Sequence, residues 1–149
     1  MTEVRFYQLN KHPLERALPK LLEKVVSSGA RAVLMAGSKE RISALNSMMW
    51  TYEPGAFLAH GSAEDDHDSE QPVWLTISSE NPNGASVLVL TDGASHDGMD
   101  GFEKCLEIFD GNDEQALTQA RERWKTYEQA GYPLTYYEQT AQGEWQLRE

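Results

Sequence analysis

A chain of 149 residues with a formal net charge of -11, 40% hydrophobic and 25% charged, is long enough to close one core without disulfides or a structural metal, and too apolar to stay disordered. Its one cysteine, Cys105, excludes an intramolecular disulfide, and no run approaches the ~20 apolar residues that cross a bilayer. The start MTEVRFYQLN has neither the basic opening nor the apolar stretch of a signal peptide, so a soluble cytoplasmic protein without membrane contact is expected.

Taken in chain order, Val4 to Leu9 (VRFYQL) is rich in strand formers, and Pro13 and Leu14 open a helical pattern that runs to about Ser28 and ends at Gly29. Pro19 falls inside that pattern and is expected to shift or kink the first turns. Ala32 to Ala36 (AVLMA) is short, apolar and uncharged, as a strand covered on both faces should be. Gly37-Ser38 then leads into a second helix with Ile42, Leu45, Met48 and Met49 on its apolar side.

Trp50 to Gln71 shows no periodicity and reads as a long irregular connection. Val73 to Ile77 and Val87 to Leu90 are strands, and Asn83-Gly84 between them suggests a hairpin. Lys104 to Phe109 is a further strand. The long helix Asp113 to Ala130 follows, with Asn112 as its expected cap, Gln115 at the capping-box position and Gly131 at its end. Leu134 to Glu138 and Trp145 to Leu147 form terminal strands around Gln142-Gly143. This order predicts one domain over residues 1–149, an α/β three-layer sandwich with a largely parallel central sheet.

The order is Rossmann-like, but the residues after the first strand are Asn10, Lys11, His12 and Pro13, with no Gly-rich nucleotide motif and no phosphate-binding P-loop. Gly37-Ser38 invites a phosphate, against which Ser38 serves as an ordinary N-cap. His60 to Asp68 holds two imidazoles and four carboxylates without metal-ligand spacing, and reads as a solvated acidic loop. Asp110, Asn112, Asp113 and Glu114 follow a strand end, where catalytic carboxylates occur, yet capping and the helix dipole already employ them. No catalytic site, metal or cofactor is expected. A nucleotide- or metal-dependent enzyme on an α/β fold is the alternative, resting on Gly37-Ser38 and the His60 to Asp68 cluster.

Charge is unevenly spread. Between Ile42 and Ala120 the only basic residue is Lys104, against fifteen Asp and Glu. So acidic a surface repels the phosphate backbone, and no direct DNA binding is expected. Against this background ARERWKTYEQAGY (Ala120 to Tyr132) stands out. On a wheel Ala116, Leu117, Ala120, Trp124 and Tyr127 share an apolar face, with Trp124 at its edge and Arg121 and Lys125 just beyond. These three either converge on an anionic ligand with an aromatic end or form a core-edge tryptophan flanked by a basic row paired with Glu122 and Glu128. The segment Trp50 to Leu58 is unusually aromatic, and either contacts a protein partner or folds back over the sheet.

The start VRFYQL, then RAVLMAGSKER, MMWTYEPGAFLAHG, QPVWL, NPNGA, IFDGND and ARERWKTYEQAGY, in this order and spacing, resemble the chi subunit of bacterial DNA polymerase III over the whole chain. The resemblance implies a non-catalytic accessory subunit of the clamp loader that links the replicase to single-stranded DNA-binding protein (SSB). SSB has an acidic C-terminal tail ending in phenylalanine. By the resemblance Arg121 pairs with carboxylate oxygens, Trp124 packs on the terminal ring and Lys125 adds positive potential. The segment with Trp50 and Phe57 matches the region used for the psi subunit. Enteric-type relatives carry a lysine four residues before the matching arginine where this chain has Leu117, which implies weaker affinity or the use of other bases. The acidic insertion 64–70 and NPNGA mark a variant of the family.

Overall fold

The structure is a computed structural model that describes residues 2–11, 13–51, 61–62 and 72–148. Its elements in chain order are β1 (Glu3–Leu9), α1 (Leu14–Ser27), β2 (Ala32–Met35), α2 (Lys39–Thr51), β3 (Gly61–Ser62), β4 (Val73–Thr76), β5 (Val87–Leu90), β6 (Lys104–Asp110), α3 (Glu114–Ala130), β7 (Leu134–Gln139) and β8 (Trp145–Leu147). The strands form one sheet in the order β3-β4-β2-β5-β6-β1-β7-β8. All pairings are parallel except the final β7-β8 pair.

Central strands must bury both faces, which is why AVLM, VWLT and VLVL are continuous apolar runs and are buried throughout. Successive residues serve opposite cores. Ala32, Leu34, Val87, Val89, Leu106 and Ile108 pack with Leu18, Leu22, Ile42 and Leu45 of α1 and α2. Val4, Phe6, Val33, Leu88, Cys105 and Phe109 pack with Ala120, Trp124 and Tyr127 of α3. Each fully buried leucine or phenylalanine contributes ~1.5–3 kcal/mol. Strand order explains the two helical layers. The chain steps one way across the sheet from β1 through α1 to β2 and the other way from β6 through α3 to β7, and right-handed crossovers put those helices on opposite faces.

The architecture is the expected three-layer α/β sandwich, and three local expectations change. The Asn83-Gly84 turn closes no hairpin: β4 and β5 lie on opposite sides of β2, each parallel to it. The turn belongs to a crossover, in which Gly84 takes φ +64° and the Asn83 side-chain amide donates to the Ala32 carbonyl at the start of β2 (3.1 Å). The stretch read as irregular from Trp50 starts inside α2, which continues to Thr51, and Gly61–Ser62 form an edge strand on β4. Asp113 replaces Asn112 as the cap of α3, so Gln115 is not at a capping-box position. Asn112 instead ties Asp110 to the carbonyl of Asn10. Pro19 lies within α1, which is continuous to Ser27.

Candidate functional site: a cationic groove on the last helix

The placement of α3 begins with its ends. Asp113 Oδ1 accepts the backbone N–H groups of Gln115 and Ala116 at 3.0 and 3.3 Å, satisfying two donors that a helix start leaves open. At the other end Gly131 takes the left-handed conformation (φ 88°) that a side chain would resist, and Tyr132 N–H returns to the Tyr127 carbonyl at 3.1 Å. Between these stops the apolar stripe falls where the wheel puts it. Ala120 is buried, and Leu117, Trp124 and Tyr127 pack against the same core. Leu117 therefore carries no charge to the surface and works as a packing residue.

A buried acid fixes the rotation of α3. Glu107 points from β6 toward the helix at 1% exposure, where its Oε2 accepts from Arg123 Nε (3.1 Å) and Tyr127 Oη (2.6 Å). Burial pushes the Glu107 carboxyl above its ordinary range, with Arg123 and Tyr127 opposing that shift. Burial, aided by the Glu107 charge, also pushes the Tyr127 phenol up, so it stays a donor. The neighbouring Cys105 is fully buried and its thiol is raised well above its usual value, as expected of an inert core cysteine.

With Arg123 turned inward, Arg121 and Lys125 turn outward on the far side of Trp124. They line a groove of about 350 Å³ together with Trp124, Tyr136 and Arg148. Arg121 and Lys125 are exposed and enter no ion pair among the described residues, so the basic row is not paired with Glu122 and Glu128. The floor is aromatic. Trp124 meets Phe6 edge-on at 5.3 Å and Tyr136 at 5.8 Å, while Phe6 and Tyr136 are parallel at 6.1 Å. The Tyr136 hydroxyl donates to Gln8 Oε1. Burial raises its pKa, which Arg148 and Arg121 counter in part. The arrangement offers three cations around an apolar wall with no carboxylate in its lining, which is chemistry for an anion carrying an aromatic or apolar group.

Tyr136 and Arg148 escape the reading of the sequence because they join α3 only through strand pairing. The β7-β8 register sets Tyr137 opposite Leu147, and one further step sets Tyr136 opposite Arg148. The Arg148 N–H donates to the Tyr136 carbonyl at 2.8 Å. The signal was present in the two terminal strand runs around Gln142-Gly143, which fix that register once paired. Of the partner-side residues, Trp50 lies on the last turn of α2, its side chain outside the described residues, and Phe57 is wholly outside them.

The sites considered for an enzyme are occupied by structural duties wherever they are described. Ser38 Oγ accepts from Arg41 N–H (3.1 Å) as an ordinary N-cap, and the Gly37 N–H faces Asp92 Oδ2 at 3.4 Å. Asp110 accepts from Asn112 N–H. A larger crevice of about 600 Å³ lies beyond the carboxyl ends of β1 and β6, whose following helices leave toward opposite faces, the place where α/β sheets often bind ligands. Its lining balances Lys11, Arg41 and Arg123 against Asp92, Asp110 and Asp113. Of the His60 to Asp68 cluster only Gly61 and Ser62 are described, and among the described residues no group of three or more His, Cys, Asp or Glu is arranged to hold a metal. No helix among the described residues is long and apolar enough to cross a membrane.

Residues 1–135 match the family model described as DNA polymerase III chi subunit, HolC. The chain belongs to the DNA polymerase III chi subunit family. It is 28% identical over 138 residues to the DNA polymerase III subunit chi of Pseudomonas aeruginosa, covering 90% of this chain and 94% of that protein. It is 32% identical over 90 residues to a probable DNA polymerase III subunit chi of Rickettsia prowazekii, covering 60% of this chain and 54% of that relative's length. Membership in the chi family makes this a replication accessory subunit associated with the polymerase III complex. The chi family match takes in Arg121, Trp124 and Lys125 but stops before Tyr136 and Arg148.

Proposed function

We propose that this chain is a non-catalytic, cytoplasmic accessory subunit of the polymerase III clamp loader that links the replicase to SSB by binding the acidic C-terminal tail of SSB in the α3 groove. The observation that carries this reading is the juxtaposition of Arg121 and Lys125, neither ion-paired among the described residues, with the half-buried face of Trp124 on an otherwise acidic protein. A carboxylate at the end of an aromatic residue would find a guanidinium for its oxygens and an indole for its ring. The chain's overall charge repels DNA but leaves this local patch attractive to an acidic peptide.

The psi subunit, or an equivalent component on the polymerase side, is assigned in this proposal to the segment that includes Trp50 and Phe57. α2, whose last turn carries Trp50, packs on the sheet face opposite α3. No cofactor is needed for either contact. Calorimetry with the SSB tail peptide tests the main reading: micromolar binding that weakens with added salt and at least about tenfold in Arg121→Ala is expected. Equal affinity for a tail lacking its terminal phenylalanine would overturn it. Trp50→Ala and Phe57→Ala should release the polymerase-side partner while leaving the tail bound.

A further inference from the structure

We infer that Arg148, on the C-terminal hairpin, is a second ligand-binding guanidinium, so that the groove takes a peptide end bearing an acidic side chain as well as its terminal carboxylate. This rests on the reading of the groove as an acidic-peptide site and adds the residue that reads the peptide upstream of its end. Three observations support it.

First, Arg148 is held in place. Its guanidinium carbon sits 5.5 Å from the centre of the Tyr136 ring, its backbone is tied to the Tyr136 carbonyl, and the same ring contacts Trp124 at 5.8 Å. A guanidinium over the face of an aromatic ring is held by cation–π attraction and uses none of its N–H donors in that contact, which leaves them for carboxylate oxygens. Second, Arg148 stands across the aromatic floor from α3, so the groove has cations on both walls: Arg121 and Lys125 on the helix, Arg148 on the hairpin. A chain end with a terminal carboxylate and a neighbouring acidic side chain offers one anion to each wall.

Third, the only ion pair of Arg148 among the described residues is weak and replaceable. Arg148 Nη1 lies 3.6 Å from Glu138 Oε2, with the two side chains 52% and 38% exposed, well beyond the ~2.7–2.9 Å of a charge-assisted hydrogen bond. Glu138 has another donor in Asn10 Nδ2 at 3.0 Å. A ligand carboxylate can therefore take Arg148 without stranding Glu138. Glu138 acts as an internal competitor that the ligand displaces.

The test uses the full chain and a synthetic peptide of aspartates ended by phenylalanine with a free carboxylate, followed by fluorescence anisotropy. Arg148→Ala should weaken binding about fivefold to tenfold. Replacing the peptide's aspartates by asparagine should bring Arg148→Ala level with the parent protein, while Arg121→Ala still weakens binding because it reads the chain end. Glu138→Gln should strengthen binding about twofold. Arg148→Gln, which keeps hairpin length and polarity, should behave as Arg148→Ala with an unchanged melting temperature. If Arg121→Ala weakens binding and Arg148→Ala does not, this inference fails and the parent reading stands. If the Arg148 effect persists on the asparagine peptide, Arg148 is not reading the side chain and the inference also fails. If the parent protein does not bind the peptide, both fail together.

Discussion

The two crevices of this molecule differ in a way that size does not reveal. The larger, about 600 Å³, lies at the ends of β1 and β6 where α/β folds commonly place ligands, yet its acids and bases largely answer one another: Arg41 faces Asp92, Asp113 caps α3, and Arg123 is drawn away to Glu107. The smaller, about 350 Å³, has two rings, no acid in its lining and three cations: Arg121 and Lys125 enter no ion pair among the described residues, and Arg148 reaches only Glu138, at 3.6 Å. A charged group that already has its partner stabilises the fold, and one that lacks it is available to something else. Arg123 and Arg121 make the same point two residues apart on one helix.

The largest expected effect tests the satisfied side of this contrast. Glu107→Ala leaves the Arg123 charge without its acceptor in a mostly buried site, and should cost about 3–5 kcal/mol in urea unfolding. Replacing Glu107 and Arg123 together by leucines should recover most of that loss; if it does not, the pair does more than balance itself. The same acid predicts a pH dependence. Its folded pKa is raised above the unfolded one, so its contribution to stability is fully present below the ordinary glutamate range and is lost as pH rises through the folded value. Glu107→Gln should flatten that decline in a stability profile.

On the unsatisfied side, Arg121→Ala should weaken acidic-peptide binding by ~1.5–3 kcal/mol while changing stability by less than about 0.5 kcal/mol. A large loss of stability would mean that Arg121 belongs with Arg123 after all. Asp113→Ala, which removes the cap that starts α3, should cost about 1 kcal/mol by thermal unfolding. The smallest effect sharpens the comparison of the crevices: Lys11→Ala, in the larger one, should alter peptide affinity by less than about twofold, through long-range charge alone.

Much of this was legible in the chain. Continuous apolar runs such as AVLM and VLVL identified strands buried on both faces, and Gly131 marked the end of α3. The wheel separated Arg121 and Lys125 from the core, because 3.6-residue periodicity needs no knowledge of the rest of the fold. What failed was local evidence asked to decide non-local pairing. Asn83-Gly84 has hairpin chemistry, but β2 offers two open sides to β4 and β5, and covering both buries more than pairing them with each other. Asn112 and Asp113 are both good caps, and the choice between them is made by the contact of Asn112 with Asn10, 102 positions away. The partners of Arg123 and Arg148 were hidden for the same reason, since one answers a strand acid and the other a hairpin register.

The terminal strands bear on how this protein meets others. Among the described residues the sheet closes with a two-residue strand, Gly61–Ser62, at one margin and a three-residue strand, Trp145–Leu147, at the other. The Trp145–Leu147 margin gives an incoming chain little backbone to hydrogen-bond, so it discourages both fibre-like stacking and recognition by strand addition there. An extended peptide that docks here must be chosen by its side chains and its end group.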